Sequence, residues 1–411
     1  MSAPAPWAVR RLTDEDWPAF VDIDQHAFGA TTPPEYLDVE RGLQDMSRGL
    51  GAFDGDVLAG ITTSYAFDVS VPGGSTPAAG VTWVGVLPTY RRRRVLSTLM
   101  AAQLTGLHEE GREPVAVLWA SEPQIYGRFG YGLASRYWSH VVPRGTDTLV
   151  ADAPRDPSLR LRLVAPDDWA LTAPVYDAVR ARRAGLPARD ETWWRRAVLD
   201  LPTFREGKSA LRCVVAEDAD GVRGYARYAT KQSFGDDFGQ GKVDVRETVA
   251  VDPAAAAELY RYLFDLDLMG TTHLWNLPAD DPLPLWLANP RRTRSTWNDQ
   301  LYARVVDLPE ALTVRRYAGD VAVVLEVADE LCPWNAGRWR LEGGTDGATC
   351  ARTDKEADVT LSARDLGAVY LGGTTLLELA AAGRLTGDAD ALRAASAAFQ
   401  HTAAPWCPQV F

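Results

Sequence analysis

Residues 81–96 read Val81-Thr82-Trp83-Val84-Gly85-Val86-Leu87-Pro88-Thr89-Tyr90-Arg91-Arg92-Arg93-Arg94-Val95-Leu96, an order that few folds accommodate. It predicts a strand, a tight turn and a helix, because from Val95 the apolar residues recur as Val95, Leu96, Leu99, Met100, Leu104 and Leu107 and stop at Gly111. The helix therefore begins inside an arginine run. Its first N–H groups have no partner within the helix and, with the helix dipole, form an anion site, where guanidinium groups suit a pyrophosphate. Such a run is ordinarily a solvated face. Here it sits on one strand-to-helix turn of a chain with 43 basic and 55 acidic residues and a net charge of −12, which favours a dedicated site.

Val84-x-Val86-x-Pro88-x-x-Arg91-Arg92-Arg93 resembles the acetyl-CoA-binding motif of the GCN5-related N-acetyltransferases (GNAT), and in particular the enhanced-intracellular-survival (Eis) acetyltransferases. The family pattern has Gly at the position of Arg94. After the helix, the apolar run 114–120 reads as a buried parallel strand, followed by Ser121, Glu122 and Tyr126-x-x-x-Gly130-Tyr131. That segment is similar to a Tyr-x-x-x-Gly-aromatic segment of the same superfamily, whose tyrosine lies near the cofactor sulfur. Two motifs in this order specify more than either alone.

At 411 residues the chain is too long for one ordinary domain. The acidic balance disfavours nucleic acid and weakly favours neutral or cationic substrates. Cys213, Cys332, Cys350 and Cys407 are scattered without a CxxC pair and read as thiols in a reducing compartment. The five histidines show no metal-ligand spacing, so no metal is expected. The first six residues have neither a basic nor an apolar leader region, and no apolar run is long enough to span a bilayer, so a cytoplasmic location away from membranes is expected.

The middle of the chain echoes its beginning. Arg10 to Trp17 lines up with Arg162 to Trp169, and Trp83-Val84-Gly85-Val86-Leu87-Pro88 with Thr248-Val249-Ala250-Val251-Asp252-Pro253. The second pair replaces Arg91, Arg92 and Arg93 by Ala256, Ala257 and Glu258, as expected of a degenerate copy of the fold unable to hold a pyrophosphate. From about residue 301 a run of short strands (301–306, 321–327, 338–341, 348–352, 357–361) precedes helices at 364–371, 376–382 and 391–399, which predicts an α+β region. The Eis resemblance implies a sterol-carrier-like fold there. The expected organisation is therefore α/β and α+β: an N-terminal GNAT domain at 1–157, a degenerate GNAT-like domain at 158–300, and a sterol-carrier-like domain at 301–411. The apolar, proline-stiffened end, 404–411, is expected to dock.

Acetyl transfer needs a held thioester, a neutral amine, stabilisation of an oxyanion, and a proton for the leaving thiolate. The backbone of Val84, Gly85 and Val86 is expected to bind the pantetheine arm, with an orphan amide at Val84 or Val86 polarising the thioester carbonyl. Arg92, Arg93, Arg94, Val95, Leu96 and Ser97 are expected to wrap the pyrophosphate. The resemblance implies cofactor contacts for Ser121 and Glu122. A phenol ionises near 10 and a thiol near 8.5, so Tyr126 stays protonated at neutral pH and fits the general acid; the plainer alternative is a packing aromatic beside Phe129 and Tyr131. No histidine or glutamate near the motif is an obvious base. The Eis resemblance implies the terminal carboxylate, here that of Phe411, with a merely structural docked tail as the alternative.

Trp17 and Trp83 are candidate pocket walls for a sugar or a cation. Val410 and the loop 29–32 carry no carboxylate, which points to few pocket acids. The resemblance implies acetylation of primary amines of small polycationic molecules such as aminoglycosides, and assembly as a homohexamer. The rival functions are a protein-lysine acetyltransferase and a non-catalytic lipid or CoA carrier.

Overall fold

The computed structural model describes residues 7–146, 148–234 and 239–411; the first six residues, considered above for a leader, lie outside them. In chain order the elements are β1 (Ala8–Arg11), α1 (Trp17–Phe28), α2 (Pro34–Leu43), β2 (Leu50–Asp54), β3 (Val57–Val71), β4 (Gly74–Val86), α3 (Val95–Glu110), β5 (Val115–Trp119), α4 (Pro123–Tyr126) and β6 (Gly132–Leu133). They continue through β7 (Arg136–Pro143), β8 (Arg160–Val164), α5 (Trp169–Arg180), α6 (Glu191–Ala197), β9 (Arg212–Asp218), β10 (Gly221–Lys231), β11 (Gly241–Ala250), α7 (Pro253–Phe264), β12 (Met269–Pro278), α8 (Leu283–Trp286) and β13 (Arg294–Asp299). The remainder is β14 (Leu301–Val305), α9 (Leu308–Val314), β15 (Val321–Ala328), β16 (Gly337–Gly343), β17 (Ala348–Arg352), β18 (Val359–Ser362), α10 (Ala363–Val369), α11 (Leu376–Ala381), β19 (Thr386–Gly387) and α12 (Ala389–Phe399).

These elements form two compact units, one of Met1–Ser135 with Gln300–Thr402 and Val410–Phe411, the other of Arg136–Asp299 with Ala403–Gln409. The first unit holds a sheet ordered β1-β2-β3-β4-β5-β14-β6 and a smaller one ordered β17-β16-β15-β18-β19. Strand β4 is antiparallel to β3 and parallel to β5, with the intervening α3 laid on the sheet. Leu99, Met100 and Leu104 of α3 are fully buried, each such side chain stabilising by roughly 1.5–3 kcal/mol. In the turn that leads into α1, the Asp16 carboxylate accepts from the Thr13 N–H at 2.8 Å and closes a capping box.

The strand pairing departs from the division at 157 and 300. Strand β14, expected to open the third region, lies between β5 and β6 in the first sheet, pairing Leu301–Val305 with Trp119–Val115. Strand β7, expected within the N-terminal domain, pairs with β12 and β13 in the sheet of the second unit. A five-residue strand carries no local mark of the sheet it joins, so spacing alone places it with its sequence neighbours. Arg304 of β14 is wholly buried and donates to Asp329 at 2.8 Å, tying the larger sheet of this unit to the segment after β15. In the third region Val323, Leu325, Leu341, Tyr317, Tyr370 and Phe399 are buried between the smaller sheet and its helices, and α9 adds a helix not expected from the sequence.

The second unit is one sheet ordered β13-β7-β12-β11-β10-β9-β8, in which β11 and β12 are parallel and joined by α7, as β4 and β5 are joined by α3. Its core includes Tyr228, Leu259, Tyr260, Leu263 and Leu274. The echo between residues 83–88 and 248–253 is therefore one of structure as well as of sequence.

Candidate active site

The site in the first unit begins with a fault in the β3–β4 ladder. Ile61 faces Gly85 but Thr63 faces Thr82, so Trp83 and Val84 together oppose the single residue Thr62. Trp83 takes φ +50, the geometry of a bulge that re-aims a side chain and interrupts pairing. On its other side β4 pairs with β5 only from Ala78 to Gly80. Beyond Gly80 the strands part and leave a cleft of about 810 Å³ lined by Val84, Val86, Ser121, Glu122 and Tyr126.

At the far end of the cleft lies the start of α3. Arg92 and Arg94 adopt φ +62 and +66, the left-handed region usually left to glycine. The glycine of the family pattern is thus replaced by an arginine that keeps the glycine-like backbone. Arg94 supplies no side-chain cap, so the first amides of α3 have no partner from it and face the same cleft wall as Arg91, Arg92, Arg94, Val95, Leu96 and Ser97. Uncapped N–H groups at the positive end of a 16-residue helix, ringed by guanidinium groups, fit a pyrophosphate.

Two of the expected cofactor residues lie elsewhere. Gly85 is not among the lining residues, and a Cβ on it would meet Ala27 and Ile23 of α1 at 3.3 and 3.4 Å, so that side of the residue faces the helix. The Arg93 guanidinium stacks on the rings of Trp7 and Tyr90, each at 4.8 Å, and lies 4.0 Å from Asp54, while its carbonyl accepts from the Trp7 indole at 2.8 Å. Strand alternation separates Gly85 from Val84 and Val86, and Arg93 is turned out between two left-handed neighbours. Ala27, Phe28, Tyr90, Arg91, Gln124, Ile125 and Arg128 line the cleft without having been singled out. Arg91, whose guanidinium donates to the Ala27 carbonyl at 3.0 Å, was within the motif; the others carried no spacing signal.

Tyr126 ends the short α4, is 6% exposed, and stands edge-on to Tyr131 with ring centroids 6.1 Å apart. Burial, with a smaller contribution from the Glu122 carboxylate, pushes its phenol up to about 12. It therefore keeps its proton throughout the physiological range. Gly130, at φ +83, closes this turn, and a Cβ there would lie 2.8 Å from the buried Arg304 guanidinium.

Phe411 packs on the same sheet and is not among the residues lining the cleft. Its ring stands edge-on to Phe67 at 4.9 Å and 3.3 Å from where a Cβ on Gly80 would be, at the last paired residue before β4 and β5 part.

Trp17 and Trp83 come together, centroids 6.0 Å apart, with Phe20 within 5.6 Å of both. The Trp83 indole donates to the Tyr65 hydroxyl at 3.3 Å, which donates to the buried Glu40 carboxylate at 2.8 Å. Asp24 is pushed up to about 6, first by burial and then by the nearby Glu40 charge. Trp17, Trp83, Asp24 and Glu40 are not among the residues lining the cleft, and the two carboxylates were not singled out from the sequence. They were missed because they come from separate helices, Asp24 from α1 and Glu40 from α2, and not from the loop between them.

The second unit differs where α7 begins. The Asp252 carboxylate accepts from the amides of Ala254 and Ala255 at 2.9 and 3.0 Å and is itself paired with Arg223 at 2.8 Å. The helix terminus that would receive a phosphate is thus closed by the chain's own anion. Among the described residues no group of His, Cys, Asp and Glu is placed to hold a metal, and no helix is long and apolar enough to cross a membrane.

Comparison with known proteins agrees with this architecture. An acetyltransferase (GNAT) domain family matches residues 8–134, a second acetyltransferase (GNAT) domain family residues 185–305, and a sterol carrier protein domain family residues 308–408. An N-acetyltransferase of Streptomyces avermitilis is 42% identical, with 98% of this chain and 99% of that protein aligned. The N-acetyltransferase Eis of Mycobacterium tuberculosis is 32% identical over 94% of this chain and 95% of its own. The crystal structure of Eis1 from Mycobacterium abscessus, also 32% identical, matches with a TM-score of 0.83 over 98% of this chain and 100% of that one. GNAT enzymes take acetyl-CoA as co-substrate, and the cleft at the start of α3 has the chemistry to hold it. Full-length similarity at this level, on a GNAT fold joined to a degenerate copy and a sterol-carrier-like region, makes the chain an acetyltransferase, a member of the Eis family of GCN5-related N-acetyltransferases.

Proposed function

We propose that this N-acetyltransferase moves the acetyl group of acetyl-CoA onto a primary amine of a small cationic molecule, with Tyr126 as general acid and the α-carboxylate of Phe411 as general base. The observation that carries this reading is the meeting, in one cleft, of the uncapped start of α3 with a buried, protonated Tyr126. Val84 and Val86 present the free edge of β4 to the pantetheine arm, while Arg92, Arg94 and the amides from Val95 to Ser97 hold the diphosphate. An amide of that edge polarises the thioester carbonyl.

The amine nitrogen attacks the carbonyl carbon, the carbon–sulfur bond breaks, and sulfur takes up the Tyr126 proton. The proton lost by nitrogen passes to the Phe411 carboxylate, directly or through a water. An alkylammonium ionises near 10.4 and a terminal carboxylate near 3.5, so the ammonium proton goes to solvent before attack, and the carboxylate takes the second proton from the far more acidic N–H of the tetrahedral adduct. A phenol at about 12 is a weaker acid than a thiol, so Tyr126 acts mainly as a hydrogen-bond donor whose proton shifts as charge develops on sulfur.

The aromatic pair Trp17 and Trp83, with Trp83 linked through Tyr65 to the Glu40 carboxylate, supports a cationic acceptor of the aminoglycoside type over a neutral one. The same reading places the protein in the cytoplasm as a homohexamer, for which light scattering of the purified protein is the test. Release of free CoA from acetyl-CoA across a panel of aminoglycosides, simple diamines and lysine peptides tests the activity. Turnover with the cationic small molecules supports the reading; turnover with lysine peptides alone selects the protein-lysine enzyme, and none with any amine selects the carrier.

A further inference from the structure

The second unit carries a constellation of side chains that acetyl transfer does not use. Strands β7, β12 and β11 are neighbours in its sheet. Val142 of β7, Leu274 of β12 and Val245 of β11 pack in one core cluster with residues of α7, so strand alternation puts Ser139, His273 and Asp244 on the opposite face. Asp244 and His273 are register partners, and Ser139 lies two residues along β7 from Val141, the other register partner of His273. The Ser139 Oγ is 3.0 Å from His273 Nε2, His273 Nδ1 is 3.2 Å from Asp244 Oδ1, and Lys208 Nζ donates to Asp244 Oδ2 at 2.7 Å. The imidazole is 40% exposed, so the row can be reached from solvent.

The acceptor chemistry fixes the direction of the row. A carboxylate only accepts, so the neutral imidazole turns its Nδ1 proton toward Asp244 and leaves the Nε2 lone pair for the Ser139 hydroxyl. Asp244 stays ionised, because the hydrogen bond from His273, joined by that from Lys208, holds its carboxyl down at about 2 against the effect of burial. The ladder is interrupted beside the serine: Leu274 faces His140 and Leu277 faces Trp138, so Trp275 and Asn276 together oppose Ser139. Such a bulge re-aims a side chain. Tyr137 and Trp275, two residues from Ser139 and from His273, stand edge-on at 5.9 Å and form an aromatic wall on the same face. On the other flank, exposed Thr296 of β13 is the register partner of Ser139, and directly opposed residues share a face with Cβ atoms about 4.5–5.5 Å apart.

We propose that Ser139, His273 and Asp244 form a nucleophilic relay that gives this chain a second activity, hydrolysis of small carboxylic esters with an apolar or aromatic group to lay against Tyr137 and Trp275. Nucleophile, base and orienting acid are recognised by their mutual geometry and not by their order in the chain. The Ser139 oxygen attacks the ester carbonyl carbon while His273 Nε2 takes the hydroxyl proton. The bond from that carbon to the alcohol oxygen breaks, and the departing oxygen collects the proton from Nε2. Water then attacks the acyl-serine, again giving a proton to His273, which returns it to Ser139 as the carboxylic acid leaves. The Thr296 hydroxyl is placed to donate to the oxyanion of both adducts. Asp244 acts through the imidazole and is a positioning residue, itself held by Lys208. This activity needs neither acetyl-CoA nor the cleft of the first unit.

The test treats the full chain with an aryl fluorophosphonate, which a serine attacks when a neighbouring base takes its proton, and locates the adduct by peptide mass spectrometry. The expected result is an adduct on Ser139 in the parent protein, a measurement that needs no variant, formed about 100-fold more slowly in His273→Gln. Nitrophenolate release from p-nitrophenyl acetate, with no acetyl-CoA present, is expected to fall by roughly tenfold or more in Ser139→Ala and in His273→Gln. In nitrogen-15 NMR the neutral His273 ring is expected to hold its proton on Nδ1, and Asp244→Asn to lose that preference and slow labelling on the order of tenfold. Absence of an adduct on Ser139 overturns the proposal, as does labelling of folded His273→Gln at the parent rate. Ester hydrolysis unchanged in Ser139→Ala overturns the nucleophilic role, and a parent ring protonated on Nε2 overturns the role of His273 as base.

Discussion

The ring of Phe411 stands edge-on to that of Phe67, centroids 4.9 Å apart and planes at 75°, beside Gly80 where β4 and β5 part. An edge-to-face pair is directional, so it fixes the orientation of the last residue as well as its depth. Replacing Phe67 by Leu keeps apolar volume and removes that direction. A stability loss of about 0.5–1.5 kcal/mol is expected in denaturant unfolding, with kcat reduced more than the acetyl-CoA KM is raised.

Tyr126 is assigned the departing sulfur. Tyr126→Phe keeps the ring packing and loses the donor, so kcat falls by at least about 100-fold, while acetyl-CoA binding measured by calorimetry is unchanged. The phenol, held near 12, remains protonated well past neutrality. Parent activity is therefore expected to hold from pH 8 to about 10, with no alkaline limb from Tyr126; a fall centred near 9 in the pH–rate profile would assign that limb to another group or remove Tyr126 from its role.

Arg94 holds φ +66 with a Cβ in place. A left-handed non-glycine residue costs roughly 1–2 kcal/mol. Arg94→Gly is expected to relieve part of this strain and to raise the Tm, but to weaken acetyl-CoA binding by losing one guanidinium. Chemical denaturation and calorimetry separate the two effects, which run in opposite directions.

Asp24 is a carboxyl whose value is raised by folding, from about 3.8 to about 6. Below 3.8 both states are protonated and there is no penalty. Between the two values the unfolded group ionises while the folded group resists, so stability falls as pH rises, and the penalty is complete above 6. Asp24→Asn removes it. The variant's Tm relative to the parent is expected to rise between pH 4 and pH 7 and then level off; a gain independent of pH contradicts the burial of this charge.

The sequence made the local chemistry legible and hid the long-range exchange. The turn from Pro88 to Val95 and the Tyr126–Tyr131 segment show themselves through residue type and spacing, and the structure places Val84, Val86, Arg92, Arg94, Ser97, Ser121, Glu122 and Tyr126 around one cleft. Arg93 was indistinguishable from its neighbours in the run, because its aromatic partner Trp7 comes from far along the chain. Asp24 and Glu40 were hidden for a related reason, since helical spacing marks a face but not which second helix it meets. The partners of β7 and β14 are set by hydrogen bonding across more than a hundred residues, which no window of local pattern reports.

The central claim is that the end of the polypeptide completes the reaction centre, and the most direct measurement is steady-state CoA release by a protein with two glycines appended after Phe411. The last carboxylate is then displaced, while the Phe411 ring, the folded core and the start of α3 are unaltered. Turnover lost by 100-fold or more, with acetyl-CoA affinity and Tm unchanged, is the predicted result. Turnover equal to that of the parent would contradict the account.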